Sequence, residues 1–405
     1  MLLRERLVPD WQRQHADQVS RLQNEERAGR TREALAIARR IVDRFGPRLS
    51  RDPSGKARAA GDLLRLANLE EALGELDAAV EHWEQAMALD PDRVDRGWLE
   101  IAQIRMKQHD ALRAEAAFLK AASSPAREIA LQARAGLIAL YGTQKRLREL
   151  DEQFQKVAGE TQLTYHQALH WTICRSPAWD AAGAEQLLVQ YIEQDSTGQD
   201  RASRKALAEL WVQVGKLDEA ANLLSQLPAD DDDLRAIRAE LALKRGDTSA
   251  AQTLVERGAA NHPTLASLRG RLALARRDPQ TAISHFQIAA KKDPYARENV
   301  LGLGQALRLA GNLEEAQTYL DRAKRMDELG SLLKVAGTDE GFSDPAMARR
   351  LARACEQLDR LDQARTWYRL ALVRDPLDTA AQEGLFRIRQ AEPQAPVRDS
   401  SALTR

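Results

Sequence analysis

The chain has 405 residues, 43% of them hydrophobic but only 5% aromatic, and its 60 acidic side chains balance 60 basic ones. That balance gives no bulk attraction to nucleic acid or to an anionic membrane, both of which favour a basic surplus. Two distant cysteines, Cys174 and Cys355, make neither a disulfide framework nor a zinc-type pair.

At the front, Met1-Leu2-Leu3-Arg4-Glu5-Arg6 carries charges where a signal peptide needs an apolar run. No stretch approaches the roughly 20 apolar residues of a membrane span. The expected location is cytoplasmic, or periplasmic or membrane-anchored if the true N-terminus lies upstream.

A pattern of small and bulky residues then recurs along the chain. Gly29, Ala34 and Ile41 begin it, and an extended loop is expected from Gly46-Pro47 to Gly55. Leu66-Ala67, Gly74, Ala79, Trp83, Ala86 and Asp90-Pro91 give the clearest copy. Trp98, Ile101-Ala102, Ala114, Phe118 and Ala121 repeat it. Weaker copies pass through Leu137 with Phe154, Trp171 with Ala184, and Leu207-Ala208 with Gly215 and Ala220. Stronger ones follow at Gly246 with Ala251, at Ala282 with Phe286, and at Gly304 with Gly311 and Ala316. The last runs through Leu351-Ala352, Ala364, Tyr368, Ala371 and Pro376.

Ala79 to Ala114 is 35 residues, Ala282 to Ala316 is 34, and Ala220 to Ala251 is 31. Small residues allow two helices to approach closely, and the bulky residue one turn on fills the gap to the next pair. Gly74, Gly215, Gly246 and Gly311 are expected to end first helices at positive φ, and Asp-Pro pairs to end second helices. Ala-rich helices also build ordinary bundles, but a bundle does not need Gly and Pro to recur at a fixed period.

This pattern resembles the tetratricopeptide repeat family, whose period is about 34 residues. The resemblance implies an all-α, right-handed superhelical solenoid of antiparallel helix pairs. It covers residues 1–390 in about ten pairs, with insertions near 46–58 and 327–344, the latter holding an unpaired helix at Leu329 to Ala336. A capping helix is expected at 379–390 and a disordered tail at 391–405.

No motif carries catalysis: there is no Gly-rich phosphate loop, no His-Glu-x-x-His and no Gly-x-Ser-x-Gly. No catalytic residue, cofactor or metal is therefore expected. His166, His170 and Cys174 lie at i, i+4 and i+8, on one helix stripe. At about 5.4 Å per turn, only neighbouring members of this set could share an ion, and a fourth ligand would have to come from elsewhere. The favoured reading is that the histidines line a groove and Cys174 is packing. Asp230 to Asp233 reads as a loop whose last acid caps the next helix.

In the family, first helices line a concave groove that takes protein or peptide segments. By register the resemblance places Leu64, Asn68, Leu99, Gln103, Met106, Leu169 and Ile173 there in the front half. In the back half it places Ser267, Arg271, Leu301, Gln305, Arg308, Arg349 and Arg353. The carboxylate clamp that grips acidic C-terminal peptides in some members is absent, with Leu64, Asn68, Glu100, Gln132 and Gly136 at the matching places.

The resulting expectation is a non-catalytic adaptor or assembly scaffold with a protein or peptide partner, and no nucleic acid or small molecule. The alternatives are a structural or oligomeric scaffold with the groove unused, and an envelope-associated assembly factor. Arg far outnumbers Lys, and the sequence from Ala364 to Asp378 is similar to bacterial repeat proteins, so a bacterial source is expected.

Overall fold

The computed structural model describes residues 10–174 and 181–391. Among them are 22 α-helices and one 3-10 turn, with no strand. The helices begin with α1 (Asp10–Arg27), α2 (Thr31–Leu49), α3 (Lys56–Ala72), α4 (Leu76–Leu89), α5 (Val94–Lys107) and α6 (Ala111–Ala121). Next come α7 (Arg127–Thr143), α8 (Leu147–Glu160), α9 (Tyr165–Ile173), α10 (Ala181–Gln194), α11 (Arg201–Val214) and α12 (Leu217–Ser225). Then follow α13 (Asp232–Lys244), α14 (Thr248–Arg257), α15 (Pro263–Ala275), α16 (Pro279–Lys292) and α17 (Arg297–Leu309). The last are α18 (Leu313–Ala336), α19 (Asp339–Ser343), α20 (Met347–Glu356), α21 (Leu361–Arg374) and α22 (Thr379–Ala391).

Two compact units divide the chain, residues 1–140 with 190–200 and residues 141–189 with 201–405. In the first, α1 pairs with α2, α3 with α4, and α5 with α6. In the second, the pairs are α11 with α12, α13 with α14, α15 with α16, α17 with α18, and α20 with α21. There α22 covers α20 and α21.

The pairs close because small residues sit at the crossings. Ala67, Ala79, Ala102, Ala114, Ala282, Ala316, Ala352 and Ala364 have no exposed surface at all. Glycines on first helices take the aromatic residue of the preceding second helix. A Cβ at Gly136 would lie 2.3 Å from the Phe118 ring, one at Gly302 2.5 Å from Phe286, and one at Gly384 2.3 Å from Tyr368. The aromatic ring thus occupies the volume of the missing side chain, which fixes the rotation of each pair against the next.

Among the described residues, each turn from first to second helix uses one residue at positive φ. Gly74, Gly215, Gly246 and Gly311 supply it, at φ of 82°, 86°, 81° and 87°. Between α5 and α6, α7 and α8, α15 and α16, and α20 and α21, the same place is taken by His109, Lys145, Arg277 and Asp359, at φ of 52° to 60°. The αL cap is therefore kept where its glycine is not.

Two expected insertions are partly helical, although residues 50–55 of the first do form a turn between α2 and α3. Gly46-Pro47-Arg48-Leu49 completes α2 instead of opening a loop. Proline removes one backbone donor, but Phe45 and Leu49, one turn apart, are both 2% exposed, and their burial holds the last turn together. The helix expected alone at Leu329 to Ala336 is the end of α18, a single helix of 24 residues. Its buried stripe of Ala316, Ala323, Met326, Leu329, Leu333 and Ala336 continues without a break, so nothing ends the helix before Gly337. The capping helix is α22, and residues 392–405 of the expected tail lie outside the described residues.

One recurrent device has no counterpart in the sequence reading. Arg238 in α13 donates to the carbonyls of Leu224, Leu227 and Pro228, at the end of α12. Thirty-one residues on, Arg269 in α15 donates to the carbonyls of Val255, Gly258, Ala259 and Ala260, at the end of α14. In each case a guanidinium satisfies carbonyls that the helix end leaves free, at the negative end of its dipole.

Candidate protein-binding surface

In the first unit the expected groove residues divide. Leu99, one turn before Ala102 on α5, is wholly buried. It has no surface to offer a partner. Leu64 is half-buried against Ala60, Leu63 and Ala86, Gln103 and Met106 are half-buried, and Asn68 is exposed.

In the second unit, Leu169 and Ile173 are not on an open groove. They pack against the core formed by α18, α20 and α21, and Ala168 is buried in it. The Trp367 indole N–H donates to Thr172 Oγ1 over 3.0 Å, and the Gln363 amide donates to the Trp171 carbonyl over 3.3 Å. The Tyr165 hydroxyl donates to the Ala336 carbonyl over 3.1 Å, and its ring meets Trp367 and Phe342 edge-on at 5.1 Å. His166 stacks on Phe342, with ring centroids 5.3 Å apart. His170 lies edge-on to Phe154, and burial lowers its pKa. Cys174 is half-buried, while Cys355 is fully buried, which pushes its thiol up to about 12. A surface assigned by register to a partner is thus covered by α9 of the same chain.

The four arginines expected to face an acidic segment also divide. Arg271 pairs with Glu240 at 2.5 Å. Arg349 pairs at 2.8 Å with Asp378, whose other oxygen accepts the Ala381 N–H at the start of α22. Both are committed to the fold. Arg308 and Arg353 are exposed, and among the described residues neither forms an ion pair or a side-chain hydrogen bond.

Asp231, not the last acid of its run, caps α13, accepting from the N–H groups of Asp233 and Leu234. Asp232 is engaged by Arg235 and by the Ala259 N–H. Asp233 pairs with Lys205 and, at 2.9 Å, with His262. These two partners hold its carboxyl well below the usual carboxylate range.

Arg353 also borders a cleft of about 650 Å³ between the second half of α18 and α20. Leu332, Val335 and Ala354 give it an apolar lining, flanked by Arg325, Arg350 and Arg353. This cleft exists because α18 runs on past the length of its partner α17 (24 residues against 13).

Residues 267–331 and 336–379, which run from α15 into the start of α22, match the family model for the tetratricopeptide repeat. Those segments are tetratricopeptide repeats. Similar solved structures of such repeats extend over more of the chain but superpose loosely. The APC/C hetero-tetramer Cut9-Hcn1 is 12% identical over 91% of this chain and 88% of that one, with a TM-score of 0.36. Yeast Tom70 is 13% identical over 97% and 98%, with a TM-score of 0.28. A tetratricopeptide repeat protein from Parabacteroides merdae ATCC 43184 is 17% identical over 60% and 99%, with a TM-score of 0.29. Likenesses this distant carry no argument about partners. No curated protein matches the chain. Tetratricopeptide repeats generally mediate protein–protein interactions and are typically non-catalytic, and no helix among the described residues is long and apolar enough to cross a membrane.

Proposed function

We propose that the chain is a non-catalytic scaffold that binds segments of partner proteins along its first helices. The observation that carries this reading is the contrast among the arginines. Arg271 and Arg349 are used internally, whereas Arg308 and Arg353, on first helices of the matched repeats, serve no internal pair. An exposed cation that the fold does not use is available to an external carboxylate, and the planar guanidinium can donate to it twice. In the first unit Asn68, Gln103, Met106 and the accessible part of Leu64 supply polar and apolar contacts for the same purpose. The proposed source is bacterial, and an envelope-associated assembly role is compatible with the same surface.

A second reading is a structural scaffold with its groove unused. The covering of the last repeats by α9 favours it, since that part of the surface is already occupied. Photo-crosslinking separates the two. The full chain would carry benzoylphenylalanine in place of Arg308, Arg353 or, as a control on a second helix, Leu119. Discrete adducts from the two arginine positions but not from Leu119, followed by saturable binding of the purified partner, are expected. Adducts only between copies of the chain would favour the second reading.

A further inference from the structure

We propose that the cleft between α18 and α20 docks an acidic segment of a partner protein, with apolar residues of that segment seated on Leu332 and Val335. The proposal rests on the scaffold reading and extends it from Arg353 on α20 onto the overhanging end of α18, with a partner chemistry.

Two facing stripes build the cleft. Arg325, Glu328, Leu332 and Val335 follow one another at intervals of three or four residues along α18, and facing them are Arg350, Ala354 and Gln357 on α20 and its C-cap, with Arg353 beside Ala354. The α18 stripe is roughly 15 Å long at 1.5 Å per residue, room for about three turns of helix. Its apolar part is open: Val335 is 46% exposed, although its neighbours Leu333 and Ala336 are buried.

Charge decides the occupant. Lys324, Arg325, Arg350 and Arg353 face only two acids, Asp327 and Glu328. Asp327 is taken by both arms of Arg297. Glu328 lies 3.9 Å from Lys324, and Arg350 lies 3.4 Å from Asp344. Nearby Glu356 is held by two bonds from Arg387, at 2.8 and 2.9 Å, and by the Tyr368 hydroxyl. Arg325 and Arg353 form no ion pair or side-chain hydrogen bond among the described residues, although Glu328 and Glu356 lie one turn on from them, so the cleft keeps a basic surplus beside exposed apolar surface.

This chain does not itself supply a matching acidic segment at either obvious place. Residues 392–405 contain Glu392 and Asp399 against Arg398 and Arg405, so they carry no acidic surplus. In the run Asp230 to Asp233, three of the four acids are engaged within their own unit. An external acidic segment is the occupant that complements the cleft.

The test uses the full chain and a synthetic helical probe of about 12 residues, with leucines at i, i+3 and i+7 and glutamates elsewhere. A second probe has lysines in place of the glutamates. By fluorescence anisotropy the acidic probe should bind and the lysine probe should not. Arg325→Glu with Arg353→Glu should weaken the acidic probe at least about tenfold at low salt and less at high salt. Val335→Asp should weaken it at both. Circular dichroism checks each variant, and Arg325→Ala with Arg353→Ala replaces any that has lost helicity. Equal binding of the two probes overturns the proposal. So does loss of binding in Arg308→Glu but not in the cleft variants, or a concentration-dependent dimer that Val335→Asp breaks. Crosslinks from the Arg308 position that persist in those cases leave the scaffold reading standing, and their absence removes it as well.

Discussion

The Trp367 indole N–H donates to Thr172 Oγ1 over 3.0 Å, joining side chains 195 positions apart in one buried site. The Thr172 hydroxyl in turn donates to the Ala168 carbonyl over 2.8 Å, so it is satisfied in both roles. In a repeat stack each unit touches only its neighbours, and this bond links α9 to a repeat far beyond any neighbour. The Gln363 and Tyr165 bonds and the aromatic contacts around Phe342 make the link a built interface.

Removing the acceptor should therefore cost more than removing the pair. Thr172→Val leaves a buried indole N–H unpaired, at a cost of about 1–3 kcal/mol. A double-mutant cycle with Trp367→Phe, read by urea unfolding, should give a coupling of at least about 0.5 kcal/mol. Additive effects would mean that the two side chains do not meet.

Gly302→Ala should destabilise by about 1–3 kcal/mol, because the new methyl group overlaps the Phe286 ring. Phe286→Leu in the same chain should recover part of that loss by vacating the space. Thermal melts of the three variants decide it, and an unaffected single variant would show that the ring is not against that glycine.

Ala316→Arg places a charge at a position with no exposed surface. The loss should exceed the roughly 1–3 kcal/mol of simple overpacking. Because α17 and α18 are then weakened ahead of distant repeats, urea unfolding should separate into more than one step. A single transition at the parent's midpoint would contradict the packing.

Arg269→Met keeps an aliphatic stem but withdraws every donor from the end of α14. Bonds from a charged donor are worth about 1.5–3 kcal/mol, and the guanidinium is partly exposed, which lowers that figure. Hydrogen exchange should accelerate in the last turn of α14 and in residues 258–260, with little change in α17. Uniform exchange across both regions would deny the capping role.

Asp233 supplies a pH dependence whose direction follows from its depressed pKa. A carboxyl that is more acidic folded than unfolded contributes stability above its unfolded pKa, about 3.9, and loses it as pH falls toward the folded value. The stability gap between the parent and Asp233→Asn should therefore be largest above about pH 4 and close as the pH falls below it. Urea titrations across that range measure the gap, and one that widens on acidification would reverse the assignment.

The sequence by itself determined the repeat. Small residues at helix crossings, bulky residues one turn on and αL glycines act within about 34 residues, so a periodic reading finds them. It found the αL turn at Gly74, Gly215, Gly246 and Gly311 but not at His109, Lys145, Arg277 and Asp359, because those residues tolerate that conformation without advertising it. Counting one period onward from Gly74 and from Gly246 would have located His109 and Arg277, and the interval from Arg238 to Arg269 was visible in the same way. Local turn signals misled at Pro47 and beyond Ala323, where burial of Phe45 with Leu49 and of Leu329 with Leu333 carried the helices through. Only tertiary structure decided which surface remained free. The register that assigned Leu99 and Leu169 to a groove describes one helix pair at a time. Burial of Leu99 depends on how α5 packs against its neighbours, and that of Leu169 on a core whose residues on other helices lie more than 130 positions away. The spare charge of Arg353 likewise depends on where Asp378 and Arg387 find their partners. Such pairings are set by distances in space, which a period along the chain does not encode.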